Sequence, residues 1–167
     1  MEARLDFTAT AFAKAYYKNM LANEKLFHTA STVPHLTMEL VKLRASQING
    51  CGYCTDMHYK DAVHAGEDPE RLNLVTVWRE APAFDDAERA ALALAEESAR
   101  IADNPHGVSD ETWAAVRKHY DDEQIAALVA MCAQINAWNR VNVILRTPAG
   151  FYDPVTKTAR YQDEHRH

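Results

Sequence analysis

The chain has 167 residues, a formal net charge of −6, and 47% apolar against 25% charged residues. That is room for one apolar core with an ordinary globular composition. No basic stripe is present to neutralise phosphates and no run approaches the roughly 18 apolar residues of a membrane span, so neither nucleic acid nor a membrane is an expected partner.

With only five glycines and no turn dipeptide between alternating β-rich runs, the pattern reads as all-α. A first helix is expected over about 9–24, with Phe12, Ala15, Tyr16 and Met20 on one face. A second covers about 36–49, with Leu40, Leu43 and Ile48 apolar. A third runs over about 51–65 and stops at Gly66, a favourable residue just past a helix end. Asp68 and Pro69 open a short helix that carries Leu72, Leu74 and Val75 and ends near Trp78-Arg79. Pro82 breaks the chain. Asp85 or Asp86 caps an Ala/Leu-rich helix to about Ile101, and residues 104–107 form a loop. Ser109 caps a helix holding Trp113 and Val116.

Asp121 with Gln124 makes a capping box for a last helix over about 122–146. It places Ile125, Leu128, Val129, Cys132, Ile135 and Trp138 on one face. At about 1.5 Å per residue this helix exceeds what a domain of this size needs, so part of it is expected on a neighbouring subunit. From Thr147 the tail is polar. Phe151 and Tyr152 are expected to dock locally and the last ten residues to be loose. The chain is thus read as one domain over 1–167, with its core at about 5–146 and a tail at 147–167.

Chemistry concentrates at Cys51-Gly-Tyr-Cys54 and His58. On a helix these three polar side chains share one face, being spaced by three, four and seven residues. Two thiols at that spacing close a small disulfide ring, and the imidazole can handle their protons. Redox chemistry is the first reading. A metal site comes second, because one CxxC and one histidine leave a zinc tetrahedron short. An odd number of cysteines makes no secreted disulfide framework, and Met1-Glu2-Ala3-Arg4 lacks the apolar stretch of a secretory signal, so a cytoplasmic location is expected. Nothing upstream reads as a strand, which argues against a thioredoxin-type fold.

Glu39 lies twelve residues before Cys51. A sharp turn near Asn49-Gly50 would fold its helix back on the CxxC helix and let Glu39 reach His58. Arg44, Ser46, Gln47 and Asn49 are read as braces of that turn. Cys132 is read as core, Trp113 and Trp138 as core or interface aromatics. His28, His35, His64, His106 and His119 fall in no ligand spacing.

The run ELVKLRASQINGCGYCTDMH from Glu39 to His58 closely resembles the core of the alkylhydroperoxidase D-like (AhpD-like), carboxymuconolactone decarboxylase superfamily. The likeness continues through Trp78-Arg79-Glu80, the segment from Phe84 to Leu92, and Asn136 to Arg140. It implies the small single-domain branch, an AhpD-like helical bundle assembled as a homotrimer or homohexamer, and a hydroperoxide reductase working through a CxxC disulfide. In that family the second cysteine attacks the hydroperoxide, the first resolves it, and the Glu and His relay protons. Those roles would fall on Cys54, Cys51, Glu39 and His58. A lipoyl or thioredoxin-like dithiol protein would supply the electrons, with no haem, flavin or metal required. This chain has Tyr53 where family peroxidases carry a second histidine. The alternatives are a non-peroxidase member, such as a disulfide reductase or decarboxylase-like enzyme, and a redox-sensing oligomer without turnover. The decarboxylase branch lacks the CxxC.

Magnitudes locate the catalysis. Lowering a thiol pKa from about 8.5 by two units raises the thiolate fraction at about pH 7.4 roughly 12-fold. The accompanying loss of nucleophilicity is roughly 8-fold at a Brønsted slope near about 0.45. The two nearly cancel. Protonating the departing oxygen is worth about 100-fold or more, and His58 is the candidate acid.

Overall fold

The computed structural model describes residues 2–104 and 106–159. Its elements are α1 (Ala11–Thr29), α2 (His35–Ile48), α3 (Gly52–His64), α4 (Pro69–Asn73), α5 (Asp86–Ala99), α6 (Asp110–His119) and α7 (Asp122–Leu145). A two-stranded antiparallel hairpin follows, β1 (Tyr152–Asp153) with β2 (Thr158–Ala159), pairing Tyr152 with Ala159 and Asp153 with Thr158. The all-α reading holds.

Local chemistry starts and stops these helices where expected. Asp68 accepts from the Glu70 amide with Pro69 in the first turn of α4, and Ser109 accepts from Thr112 at the start of α6. Asp85 with Glu88 and Asp121 with Gln124 form complete capping boxes on α5 and α7. Three helices end in the same paired bonds. After α2 the amides of Gly50 and Cys51 donate to Gln47 and Ser46; after α3 those of Gly66 and Glu67 donate to Val63 and Ala62. After α7 those of Arg146 and Thr147 donate to Val143 and Asn142. Each needs a left-handed residue, supplied by Gly50 and Gly66 and, without glycine, by Arg146 at φ 56°.

Helix α2 is the axis of the molecule, packing on α3, α5 and α7. Every residue from Thr37 to Leu43 is buried, because α2 serves two cores at once. Met38 and Val41 join Phe27, Leu94, Leu128 and Met131, whereas Leu40 and Leu43 join Leu72, Val75, Phe84 and Leu92. A helix buried all round has no polar face to show.

Three expectations need correction. Helix α1 runs on to Thr29 and buries Ala13, Met20 and Phe27, spaced by seven. Phe12 is 78% exposed, and Ala15 and Tyr16 also face outward. Val129 is exposed too, at 46%; the two-sided packing of α7 admits Ile125, Leu128, Cys132 and Ile135 but not Val129. At the end of the chain, Thr158 and Ala159 pair as a strand rather than lying loose, while the rest of the expected loose segment, 160–167, lies outside the described residues. Tyr152 docks as expected, buried at 6%.

Candidate functional site

The paired turn after α2 delivers Cys51 directly to the start of α3, where it is the N-cap and its Sγ accepts from the Cys54 amide at 3.3 Å. Cysteine here does the work usually given to serine or aspartate. Cys51 and Cys54 are joined as a disulfide, with Cα atoms 5.4 Å apart. Both are buried. Both also sit at a helix N-terminus, whose free amides and dipole favour a thiolate once the bond is reduced.

His58 lies one turn further along. Helical side chains lean toward the N-terminus, so its ring leans over the turn that carries Cys54. Its Nδ1–H donates to Glu39 Oε2 at 2.9 Å. The hairpin of α2 and α3 thus brings Glu39 to His58, as the sequence reading expected, with the Cys51–Cys54 disulfide at the start of the helix that carries His58. His58 Nε2 is fully buried and finds no hydrogen-bond partner among the described residues.

Sequence reasoning missed Lys42. It is 4% exposed and places Nζ 2.6 Å from Glu39 Oε1. It lies three residues from Glu39 on the same helix, but nothing in the sequence marks that face as buried. Burial alone would raise the Glu39 carboxyl; the Lys42 ammonium and the His58 hydrogen bond outweigh it and hold the group well below the usual carboxylate range. Glu39 is therefore a fixed negative charge. Asp61 approaches the same cluster, with ligand-type atoms of Glu39, His58 and Asp61 within 4.8 Å of one another. Lys42 already neutralises Glu39, and Asp61 accepts from Tyr152 Oη at 2.9 Å and from Lys157 Nζ at 2.6 Å.

Asn142 was also missed. It reaches from α7 and donates Nδ2 to Cys54 Sγ at 3.5 Å. A buried amide network holds that end of α7 to the turn before Cys51. Asn49 donates to Asn136 and Asn139 at 2.9 Å each, Asn139 donates to Ser46 Oγ at 3.0 Å, and Ser46 donates to the Lys42 carbonyl at 2.7 Å. Ser46 and Asn49 brace the turn as expected. Arg44 works elsewhere, pairing with Glu96, which also accepts from Trp78 and Arg79.

An open groove of about 1550 Å³ leads to the site, lined by Cys51, Gly52, Tyr53, Met57 and His58 among others. Cys51 reaches it; Cys54 does not. Trp138 lines its wall and donates Nε1 to Glu24 at 2.9 Å. Tyr53 packs edge-on against Tyr152, ring centroids 6.4 Å apart. His28 and His35, unplaced by spacing, meet at the rim with centroids 5.4 Å apart, and His35 Nε2 is 3.9 Å from Glu39 Oε1. Cys132 belongs to the core, its thiol pushed up to about 11 by burial. Among the described residues no helix is long and apolar enough to cross a membrane.

Comparison with known proteins agrees with this geometry. The carboxymuconolactone decarboxylase family pattern matches residues 13–97. The uncharacterized protein YdfG of Bacillus subtilis (strain 168) is 40% identical over 128 residues, covering 77% of this chain and 85% of that protein. A crystal structure of an Agrobacterium tumefaciens protein of unknown function, offered as a candidate AhpD antioxidant defence protein, superposes with a TM-score of 0.82 at 33% identity, covering 89% of this chain and 99% of the other. The debrominase Bmp8 shares the fold at a TM-score of 0.73 and 18% identity, over 83% of this chain and 75% of its own. The motif, the helical hairpin that presents it and these relatives agree: the chain belongs to the carboxymuconolactone decarboxylase family, within the AhpD-like superfamily.

Proposed function

We propose that the protein is a thiol-dependent alkyl hydroperoxide reductase. The observation that carries this reading is a CxxC disulfide at a helix N-terminus with His58 one turn away, its Nδ1–H held by the buried Glu39 carboxylate, which Lys42 pairs on its other oxygen. In the reduced protein His58 Nε2 takes the Cys54 thiol proton. The Cys54 thiolate attacks the terminal peroxide oxygen, the O–O bond breaks, and the departing alkoxide receives that proton from His58 and leaves as an alcohol. Cys51 then attacks the Cys54 sulfenic acid, water departs and the disulfide forms. A dithiol donor, lipoyl or thioredoxin-like, returns two electrons and two protons. Of the two cysteines only Cys51 is among the residues lining the groove, which favours it as the donor's point of attack and leaves Cys54 as the thiolate released on the His58 side.

Glu39 acts here as an orienting and charge-stabilising group rather than as a proton carrier, because a carboxylate held this far below its usual range does not take up a proton near neutrality. Assembly as a homotrimer or homohexamer belongs to the same reading and is supported by the apolar Ile101, Trp113 and Val129 left exposed on one chain. Stopped-flow oxidation of the reduced protein by an organic hydroperoxide is the test. Rapid loss of two thiols per chain with one alcohol formed supports the peroxidase. Slow loss accompanied by a change of oligomer size would instead identify a redox sensor.

A further inference from the structure

Three asparagines spaced by three, Asn136, Asn139 and Asn142, line the stretch of α7 that meets the cysteine turn. The first two accept from Asn49 at 2.9 Å each. The third reaches the disulfide itself, donating Nδ2 to Cys54 Sγ at 3.5 Å. Its partners fix which way the amide points. One Nδ2–H goes to the Trp138 carbonyl at 3.0 Å and the other to the sulfur, so both hydrogens meet acceptors. Turning the amide over would set Oδ1 against a carbonyl oxygen.

The two sulfurs are unequally placed. Cys51 Sγ caps α3 and accepts from the Cys54 amide at 3.3 Å, and Cys51 lines the groove. Cys54 is 0% exposed, and among the described residues the donor on its sulfur is Asn142 Nδ2. A negative charge forming on that sulfur is cut off from water, and burial without a donor would disfavour it. A hydrogen bond to a disulfide sulfur is weak, whereas one to a thiolate is charge-assisted. The Asn142 contact therefore strengthens as the S–S bond breaks. An interaction that grows toward the transition state lowers the barrier.

We propose that Asn142 is a catalytic residue of disulfide reduction, holding Cys54 Sγ as the leaving thiolate when a dithiol donor opens the bond. The donor's first thiolate attacks Cys51 Sγ and forms a mixed disulfide. The Cys51–Cys54 bond breaks, and its electron pair stays on Cys54 against the Asn142 N–H. The donor's second thiolate then attacks the donor sulfur of the mixed disulfide, closing the donor's own disulfide and releasing Cys51 as a thiolate. The two protons shed by the donor's thiols balance the two thiolates. A leaving thiol of lower pKa departs faster. That Cys51 is attacked first rests on the proposed peroxidase cycle, whereas the contact on Cys54 is present in the disulfide form itself.

Stopped-flow reduction of the wild type and of Asn142→Leu by dithiothreitol, with no peroxide present, tests the role. Losing one hydrogen bond to a charged group should raise the Cys54 thiol pKa by about one to two units. With a Brønsted slope of about 0.4–0.5, as for an attacking thiol, reduction should slow roughly three- to tenfold. Asn142→Asp, nearly the same shape, has no N–H to give and should be at least as slow. Thiolate absorbance against pH locates the effect. In a Cys51→Ser background Asn142→Leu should raise the Cys54 pKa, and in a Cys54→Ser background it should leave the Cys51 pKa where it was. An unchanged Cys54 pKa, or equal shifts at both cysteines as a general loosening of the fold would give, overturns the proposal. A raised Cys54 pKa with an unchanged rate overturns the leaving-group role and moves the point of attack to Cys54. Turnover with an organic hydroperoxide, measured separately, reports on the peroxidase reading alone.

Discussion

His58→Gln separates thiol activation from leaving-group protonation. At about pH 9 the Cys54 thiolate is plentiful without help, so a histidine that only activates the thiol would no longer be missed. If its value lies in protonating the departing oxygen, the variant stays slower by roughly 100-fold even there. Single-turnover oxidation across a pH series distinguishes the two, and full recovery at high pH would sink the acid role. Lys42→Met probes the other end of the same chain of contacts. It leaves the Glu39 charge buried without its closest partner, and breaking such a buried pair costs about 3–5 kcal/mol. Glu39 has a depressed native pKa, so its contribution to stability is complete above the ordinary carboxylate range and is lost only as pH falls through the lower native value. Without Lys42 that native value rises. The acid limb of the stability curve should therefore move to higher pH, a shift that urea unfolding at descending pH will show or refute.

Among the elements, the start of α3 has a double task, because Cys51 is both half of the disulfide and the helix cap. Under reducing conditions Cys51→Ser keeps an acceptor for the Cys54 amide, whereas Cys51→Ala loses it. The serine variant should be more stable by about 0.5–2 kcal/mol, while neither forms the disulfide. Equal denaturation midpoints would show that the cap carries no weight. The sequence made such termini legible because each depends on a few neighbouring residues: Asp85 with Glu88, Asp121 with Gln124, Gly50 and Gly66. The same locality made the hairpin of Glu39 against His58 readable from one turn and one spacing. What stayed hidden depended on distant partners. Phe12 and Val129 looked like core residues, but burial is decided by which neighbours arrive, and here α1 presents Ala13, Met20 and Phe27 instead. Lys42 and Asn142 touch the site only because α2 is enclosed on every side and α7 crosses the cysteine turn. Lysine at an apparently amphipathic position reads as solvated until that enclosure is known.

On the scale of the whole molecule, the segment after α7 returns across α3 and closes one side of the groove. Tyr152 Oη donates to Asp61, Lys60 Nζ donates to the carbonyls of Gly150 and Tyr152, and the Gly150 amide donates to Asp56. A Cβ placed on Gly52 would already touch Ala149 at 3.4 Å, so this segment lies directly over the residue after Cys51. Ending the chain at Arg146 removes the buried Tyr152 ring, worth about 1.5–3 kcal/mol of transfer free energy, and widens the approach to the Cys51 sulfur. Thermal stability should fall. Reduction of the disulfide should accelerate in a size-dependent way, modestly with dithiothreitol and more with a protein dithiol, since a small reagent already fits the groove and a protein must reach past its wall. Stopped-flow reduction of full-length and shortened protein by both reagents measures the ratio. Equal acceleration by the two would show that the tail contributes stability alone, and a larger gain for the protein dithiol would make the segment a determinant of which donors reach the disulfide.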